Sequence, residues 1–446
     1  MRPLVGLLTA SLLVAFAQAA SAQDGKTWVV AWTASAQGPY PVGNPSAQPD
    51  QKFTFPDPAV GARDQTFRLM LRPDLWGRQA RIRLSNAFGT KPVTFDGVHV
   101  GLQWGSSALV RGSNRPVMFG GKSSVTVPPG TSIWSDPVTL PFAKQPDELT
   151  GRRLGVSLHI AGDSGPMTWH AKALTTSYVT APGAGAKGAL EDESAFLYST
   201  ASWFFVDAIE MAAPADAFAI VAFGDSITDG TASTMNGDDR WPDVLSRRLK
   251  ALYGNRVAVV NAGIGGNQIA GPAEYAPDKP FAGGPASGQR LDRDVLALSG
   301  ISTLIWLEGI NDFSKSGNAT VDRVVAEMKD GVARLRKAWP HVRVIGATVI
   351  SALGSSNAAH GFPEQDAKRK ELNEFIRTSG TFDAVIDFDK VVLDPQSGSL
   401  KPEFVPESTT GGPGDKLHPN RAGYLAMGQA IDLNLFKPGR STSKRE

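Results

Sequence analysis

Residues 218–230 read FAIVAFGDSITDG, an apolar run closed off by Gly224-Asp225-Ser226. A strand buried on both faces reads as such an uninterrupted apolar run. Small polar residues after it mark a turn into a helix, whose first N–H groups have no partner inside the helix. Ser226 therefore has two readings. It caps the helix with its hydroxyl, or it is held at the mouth of a sheet where free N–H groups can meet an incoming carbonyl. Its immediate neighbours do not decide between them.

Working outward, Val257–Val260, Thr303–Leu307, Val344–Ile350 and Ala384–Phe388 repeat the apolar pattern. Amphipathic stretches separate them. Trp241, Val244, Leu245, Leu249 and Leu252 share one helical face, and so do Val321, Val324, Val325, Met328, Val332 and Leu335. Strand and helix in alternation predict an α/β unit, a parallel sheet with helices on both faces. In such sheets ligands bind beyond the carboxyl ends of the strands.

The first half has a different texture. Thr66–Leu71, Ala80–Leu84, Val93–Val100 and Leu154–Ile160 are short alternating segments broken by Gly, Pro, Asn and Asp. Their period of two predicts an antiparallel β-sandwich with one face of each sheet inward and the other wet. With 446 residues, two domains are expected. The boundaries read as a leader at 1–22, a β-sandwich at 23–210, a linker at 211–217, a second domain at 218–437 and a tail at 438–446.

The leader has Arg2, an apolar core from Leu4 to Ala17, and Ala20-Ser21-Ala22 before the expected cleavage point. Its core is too short to span a bilayer, which takes about 20 apolar residues. Export to the periplasm or medium is therefore expected, with no stable membrane anchor. Forty-five basic and 43 acidic residues, without blocks of one sign, give no signature of a nucleic-acid partner. The chain has no cysteine, so neither disulfides nor thiolate metal sites can form. No phosphate-binding loop or metal-ligand spacing occurs, and neither cofactor nor metal is expected. Oligomeric state is not legible.

Three further blocks share the chemistry of the first. In Val260-Asn261-Ala262-Gly263-Ile264-Gly265-Gly266-Asn267, glycines allow a backbone N–H to be aimed at a substrate oxygen, or simply form a connector. In Glu308-Gly309-Ile310-Asn311-Asp312, the Asn311 amide can donate to an oxyanion or belong to a turn. In Asp415-Lys416-Leu417-His418, a carboxylate three residues before a histidine can orient its ring. Of six histidines, His99, His159, His170, His341 and His360 read as surface or satisfied core groups, and His418 is the one with a partner. The Gly-x-Ser-x-Gly elbow of ordinary α/β-hydrolases is absent.

Together and in order, these four blocks resemble the SGNH, or GDSL, hydrolase superfamily over residues 218–435. Trp32–Ser35, Leu84–Gly89, Arg240-Trp241-Pro242 and Arg290–Leu298 are similar to a subgroup of secreted two-domain bacterial esterases with acetylesterase-like members. The resemblance implies a flavodoxin-like α/β/α catalytic domain and a serine esterase acting on small-molecule or polysaccharide esters. It implies Ser226 as nucleophile, His418 as base, Asp415 as its orienting carboxylate, and an oxyanion hole from Ser226, Gly266 and Asn311. Gly265 is the alternative to Gly266 if the loop register is shifted by one.

Two other functions stay open at this level. The same residues would serve a lipase, an arylesterase or an acyltransferase. A carbohydrate-binding protein with an inert hydrolase half would use exposed aromatics of the sandwich, with Trp76, Trp104, Trp134 and Trp169 as candidates. Bracing of the catalytic half is the default role for the sandwich, and Asp225 and Asp229 are expected to be structural.

Overall fold

The computed structural model of the chain describes residues 26–276 and 278–436. The expected leader at 1–22 and tail at 438–446 lie outside them. Among the described residues no helix is long and apolar enough to cross a membrane.

The first half consists of antiparallel sheets. One contains β1 (Lys26–Thr33), β3 (Gln79–Ser85) and β7 (Val206–Pro214), with β7 between the other two. A larger sheet is centred on β2 (Arg63–Leu71), β4 (Val93–Gly105) and β5 (Leu154–Asp163), with β5 paired to both neighbours. A small sheet carries β6 (Thr168–His170). Aromatic side chains from these sheets meet in one core, where Phe67, Phe95, Phe204 and Phe205 lie at ring separations of 5.3–6.0 Å.

The expected wet face is missing at the centre of these sheets. Thr66–Leu71, Leu154–Ile160 and Val206–Ala213 are buried along their whole length. On the larger sheet, buried Arg68 donates to Ser157 Oγ and to carbonyls of Ser107 and Asp192. Segments crossing the outer surface thus supply partners for an alternating polar residue that would otherwise face water. The segment expected to be a linker is also largely strand: Met211–Pro214 complete β7 and pair with Lys26–Val29 of β1.

The second half is the expected parallel sheet: β8 (Phe218–Gly224), β9 (Val257–Gly263), β10 (Ile301–Leu307), β11 (Arg343–Ala347) and β12 (Ala384–Ile386). The spatial order is β9-β8-β10-β11-β12, so the chain reverses direction across the sheet at β8. That reversal opens a crevice at the carboxyl ends. Two apolar runs overshoot their strands. Residues after Ala347 leave the sheet, and Asp387 caps a short helix by accepting the Lys390 N–H.

The helices bury the faces that periodicity marks. In α1 (Trp241–Tyr253), Trp241, Val244, Leu245 and Leu249 are buried, whereas Leu252 is exposed at the last turn. In α2 (Val321–Ala338), Val324, Met328, Val332 and Leu335 are buried, and Gly331 sits where any Cβ would strike the Trp306 ring at 2.6 Å. Each large apolar side chain buried in this way stabilises the fold by roughly 1.5–3 kcal/mol.

The two halves share a tight seam. The Val30 N–H of β1 donates to Ser299 O at 2.9 Å, and Gly300, at φ +76°, admits Val29 so closely that a Cβ would lie 2.9 Å from its methyl. Farther along, Asp74 accepts from Ser246 Oγ and from the Val259 N–H, both at 2.6 Å. Arg72 pairs with Asp243, and Arg240 donates to Ala173 O. These contacts fix how the first half meets the mouth of the parallel sheet.

Candidate active site

Sheet register brings three of the four sequence blocks together. Gly224 pairs with Gly263 on one side and Leu307 on the other, so β8, β9 and β10 end level. Ser226, Gly266 and Asn311 follow those ends after two, three and four residues. Asp225 caps the short helix Ser226–Asp229 by accepting the Ile227 N–H at 2.9 Å, which frees Ser226 from the capping role. Gly224 leaves no room for a side chain, because a Cβ there would lie 2.1 Å from Leu307 O.

The fourth block reaches the same place from the far end of the chain. His418 Nε2 lies 2.8 Å from Ser226 Oγ, and His418 Nδ1 lies 2.6 Å from Asp415 Oδ2. The other oxygen of Asp415 accepts the N–H groups of Leu417 and His418, both at 2.9 Å. Burial alone would raise the pKa of Asp415, but the ring bond, the facing ring charge and these two N–H groups hold it well below the usual carboxylate range. Lys416, at φ +59°, makes the tight turn that folds the carboxylate back onto the ring. Asn420 then caps the helix Arg421–Ala430, accepting from Ala422 and Gly423.

Hydrogen-bond donors line the same cavity as Ser226. Among the described residues, the N–H groups of Ser226 and Gly266 make no hydrogen bond, and the Asn311 amide uses one hydrogen on Asn267 O at 3.0 Å. Gly265 does not compete, since its N–H donates to Asp229 Oδ2 at 2.9 Å. The register thus favours Gly266, whose φ of +84° suits glycine.

Buried polar groups hold this donor loop. Arg290 donates to Asn267 Oδ1 at 2.6 Å, to Ala262 O at 2.8 Å and to Gly224 O at 2.9 Å, tying the ends of β8 and β9 together. Asp312 accepts the N–H groups of Ile269 and Ala270 at 2.9 and 2.7 Å. Its desolvation raises it to about 7 despite those bonds. Glu308 accepts from Ser287 Oγ and Trp306 Nε1, and burial raises its pKa too.

A cavity of about 340 Å³ opens over Ser226 and His418. Its wall includes residues the sequence did not mark. Asn44 and Lys172 come from the first half, and Asn44 donates to Gly265 O at 3.0 Å. Neither belongs to a periodic pattern or a motif, so no sequence signal singles them out. His360, read as a surface or core histidine, also lines the cavity and bonds to the Gln365 amide at 2.8 Å. Burial, then the nearby His418 charge, lowers it to about 4.

His170 and Asp229 complete the structural layer, at 3.1 Å from one another. The tryptophans considered for sugar stacking divide. Trp76 and Trp169 are buried, Trp134 lies under the Arg81 and Arg83 guanidiniums, and Trp104 is 77% exposed.

The sequence profile of the GDSL-like lipase/acylhydrolase family matches residues 222–426. No curated protein matches the chain. Among solved structures, it is similar to a carbohydrate acetylesterase from Sinorhizobium meliloti, at 15% identity over 48% of this chain and 96% of that one, with a TM-score of 0.36. An aryl esterase from M. smegmatis gives 18% identity over 48% and 96%, with a TM-score of 0.37. A lipase/acylhydrolase from Enterococcus faecalis gives 23% over 50% and 100%, with a TM-score of 0.36.

Proposed function

Residues 222–426 form a domain of the GDSL-like lipase/acylhydrolase family, and from that premise we propose that the chain is a serine ester hydrolase working through Ser226, His418 and Asp415. The observation that carries this reading is the unbroken relay from Asp415 Oδ2 to His418 at 2.6 Å and on to Ser226 Oγ at 2.8 Å. His418 Nε2 takes the hydroxyl proton as Ser226 Oγ attacks the ester carbonyl. The oxyanion is met by the N–H groups of Ser226 and Gly266 and the free hydrogen of the Asn311 amide. His418 returns the proton to the leaving alcohol, and water then releases the acid by the reverse sequence. Asp415, ionised throughout, holds the ring and offsets its charge.

For substrate, we favour short acyl groups on hydroxyl-rich alcohols, acetylated carbohydrate above all. The cavity supports this by its lining: Asn44, Gln268, Asn311 and Asn357 supply amides, while Gly266 and Gly283 keep the wall close to Ser226. Phe281 and Leu417 are its large apolar members, a small surface for a long acyl chain. The leader-like residues 1–22 support action after export, in periplasm or medium.

The experiment is hydrolysis of an aryl acetate by the full chain and by Ser226→Ala, followed by acetate release from acetylated xylan against long-chain ester cleavage. Loss of at least about a thousandfold in Ser226→Ala is expected. Activity that survives the substitution would refute the mechanism, and a preference for long acyl chains would refute the substrate class.

A further inference from the structure

Lys172 is a charged residue that the reaction above leaves without a task. It is 4% exposed, it comes from the stretch just after β6 in the first half, and it lines the cavity over Ser226. Its ammonium donates to Thr231 Oγ1, and no other acceptor among the described residues takes its remaining hydrogens. Asp229, Asp415 and Glu407 act on it from a distance without forming an ion pair. The two nearer the reaction are already engaged, Asp229 by His170 and the Gly265 N–H, Asp415 by His418.

A buried ammonium without a contacting anion is strongly disfavoured. Burial accordingly lowers its proton affinity. The cavity offers no relief of its own, because no Asp or Glu lines it. Beside Lys172 its wall consists of amides, hydroxyls, glycines, an alanine, two histidines and two large apolar residues. A Cβ placed on Gly265 would lie 3.1 Å from the Lys172 ammonium, so the charge sits against the loop that carries Gly266.

We infer that Lys172 is a specificity residue that selects esters bearing a carboxylate close to the scissile bond, the substrate anion completing the coordination of a cation supplied by the β half. This rests on the ester hydrolase reading and narrows its substrate class. A charge-assisted hydrogen bond in a desolvated cavity contributes about 1.5–3 kcal/mol, which is about tenfold or more in relative affinity.

The test compares matched esters that differ in one carboxylate. On the acyl side the pair is para-nitrophenyl hemisuccinate and para-nitrophenyl butyrate. On the alcohol side it is meta-acetoxybenzoate and phenyl acetate. Each rate is normalised to spontaneous hydrolysis in the same buffer. The full chain should favour the anionic member of at least one pair by about tenfold in kcat/KM, and Lys172→Met should reduce that ratio by a similar factor. Lys172→Gln serves as a second variant should the first not fold. Equal rates within both pairs, a preference that survives either variant, or an equal loss on both members would overturn the inference.

Calorimetry with benzoate and benzamide reads the same cation without turnover. Tighter binding of benzoate that disappears in the variant supports the selection, and equal binding overturns it. If no ester is cleaved at all, the hydrolase reading falls and the calorimetric comparison still decides the role of Lys172.

Discussion

Asp229 and His170 form a buried pair across the two halves of the chain, with 3.1 Å between carboxylate and Nε2. His170 Nδ1 faces Ser35 O at 2.9 Å, so both ring nitrogens meet oxygen acceptors. Burial opposes the charged ring, but Asp229 overrides it and the proton affinity is raised. The second oxygen of Asp229 takes the Gly265 N–H, which makes the pair a strut beneath the loop that carries Gly266.

Asp229→Asn should therefore disturb stability and catalysis together. Removing one partner of a buried ion pair costs about 3–5 kcal/mol. Urea unfolding should report that loss, and kcat should fall more than KM changes, because the loop and not the binding surface is loosened. Since the folded state raises the affinity of His170, its contribution is fully present below the ordinary histidine range and is lost as pH rises through the raised value. His170→Gln should flatten that alkaline decline, and an unchanged slope would count against a charged ring.

Asn311→Ala removes one of the proposed oxyanion donors without touching the relay. A fall of about 100- to 1,000-fold in kcat is expected, with KM little altered. Steady-state kinetics on a short aryl ester decides it. A change confined to KM would place Asn311 in ground-state binding instead.

Asp415→Asn keeps the shape of the turn but removes the charge facing His418. A loss of about 10⁴ in kcat follows if the carboxylate fixes the ring tautomer and offsets its charge. Because the folded state holds Asp415 well below the usual range, its stabilisation is present above the unfolded carboxylate value and disappears only in stronger acid. Acid unfolding of Asp415→Asn should therefore lose part of this pH dependence.

Adjacent glycines should respond unequally. At Gly266, φ is +84° and a Cβ would stand 2.8 Å from the Asn44 amide, whereas at Gly265 the nearest atom is the flexible Lys172 head at 3.1 Å. Gly266→Ala should cut kcat severely and Gly265→Ala mildly. The reverse order would shift the donor assignment by one residue.

His360→Gln probes the acid side. The wild-type ring is lowered to about 4, against an ordinary value of about 6.5. Between these limits the unfolded chain binds more protons, so stability falls as pH drops. Chemical denaturation at pH 7.5 and pH 5 should show a smaller decline in the variant than in the wild type.

The parallel sheet was readable because its signals are local. Five apolar runs mark five strands, and Ser226, Gly266 and Asn311 stand just past three of them. His418 could be chosen among six histidines because its carboxylate partner is three residues away. What escaped was long-range. Asn44, Lys172 and His170 reach the site from the β half, and nothing in their neighbours foretells a contact with residues 231 or 229. Arg68 reads as a wet position by alternation, yet loops cross over it and supply its partners. Met211–Pro214 looks like a linker by composition, but pairing with β1 makes it strand.

The closeness of the seam at Gly300 bears on how such a protein could be recombined. With Val29 pressed against that glycine and Val30 bonded to Ser299, a donor β half from another protein would need a matching surface as well as a matching chain junction. A chimera joined at residue 217 would replace Asn44 and Lys172 along with the scaffold, and so would exchange part of the cavity wall. For library design, the unit to graft is the hydrolase half together with the segments around residues 44 and 170–175, carried as a set.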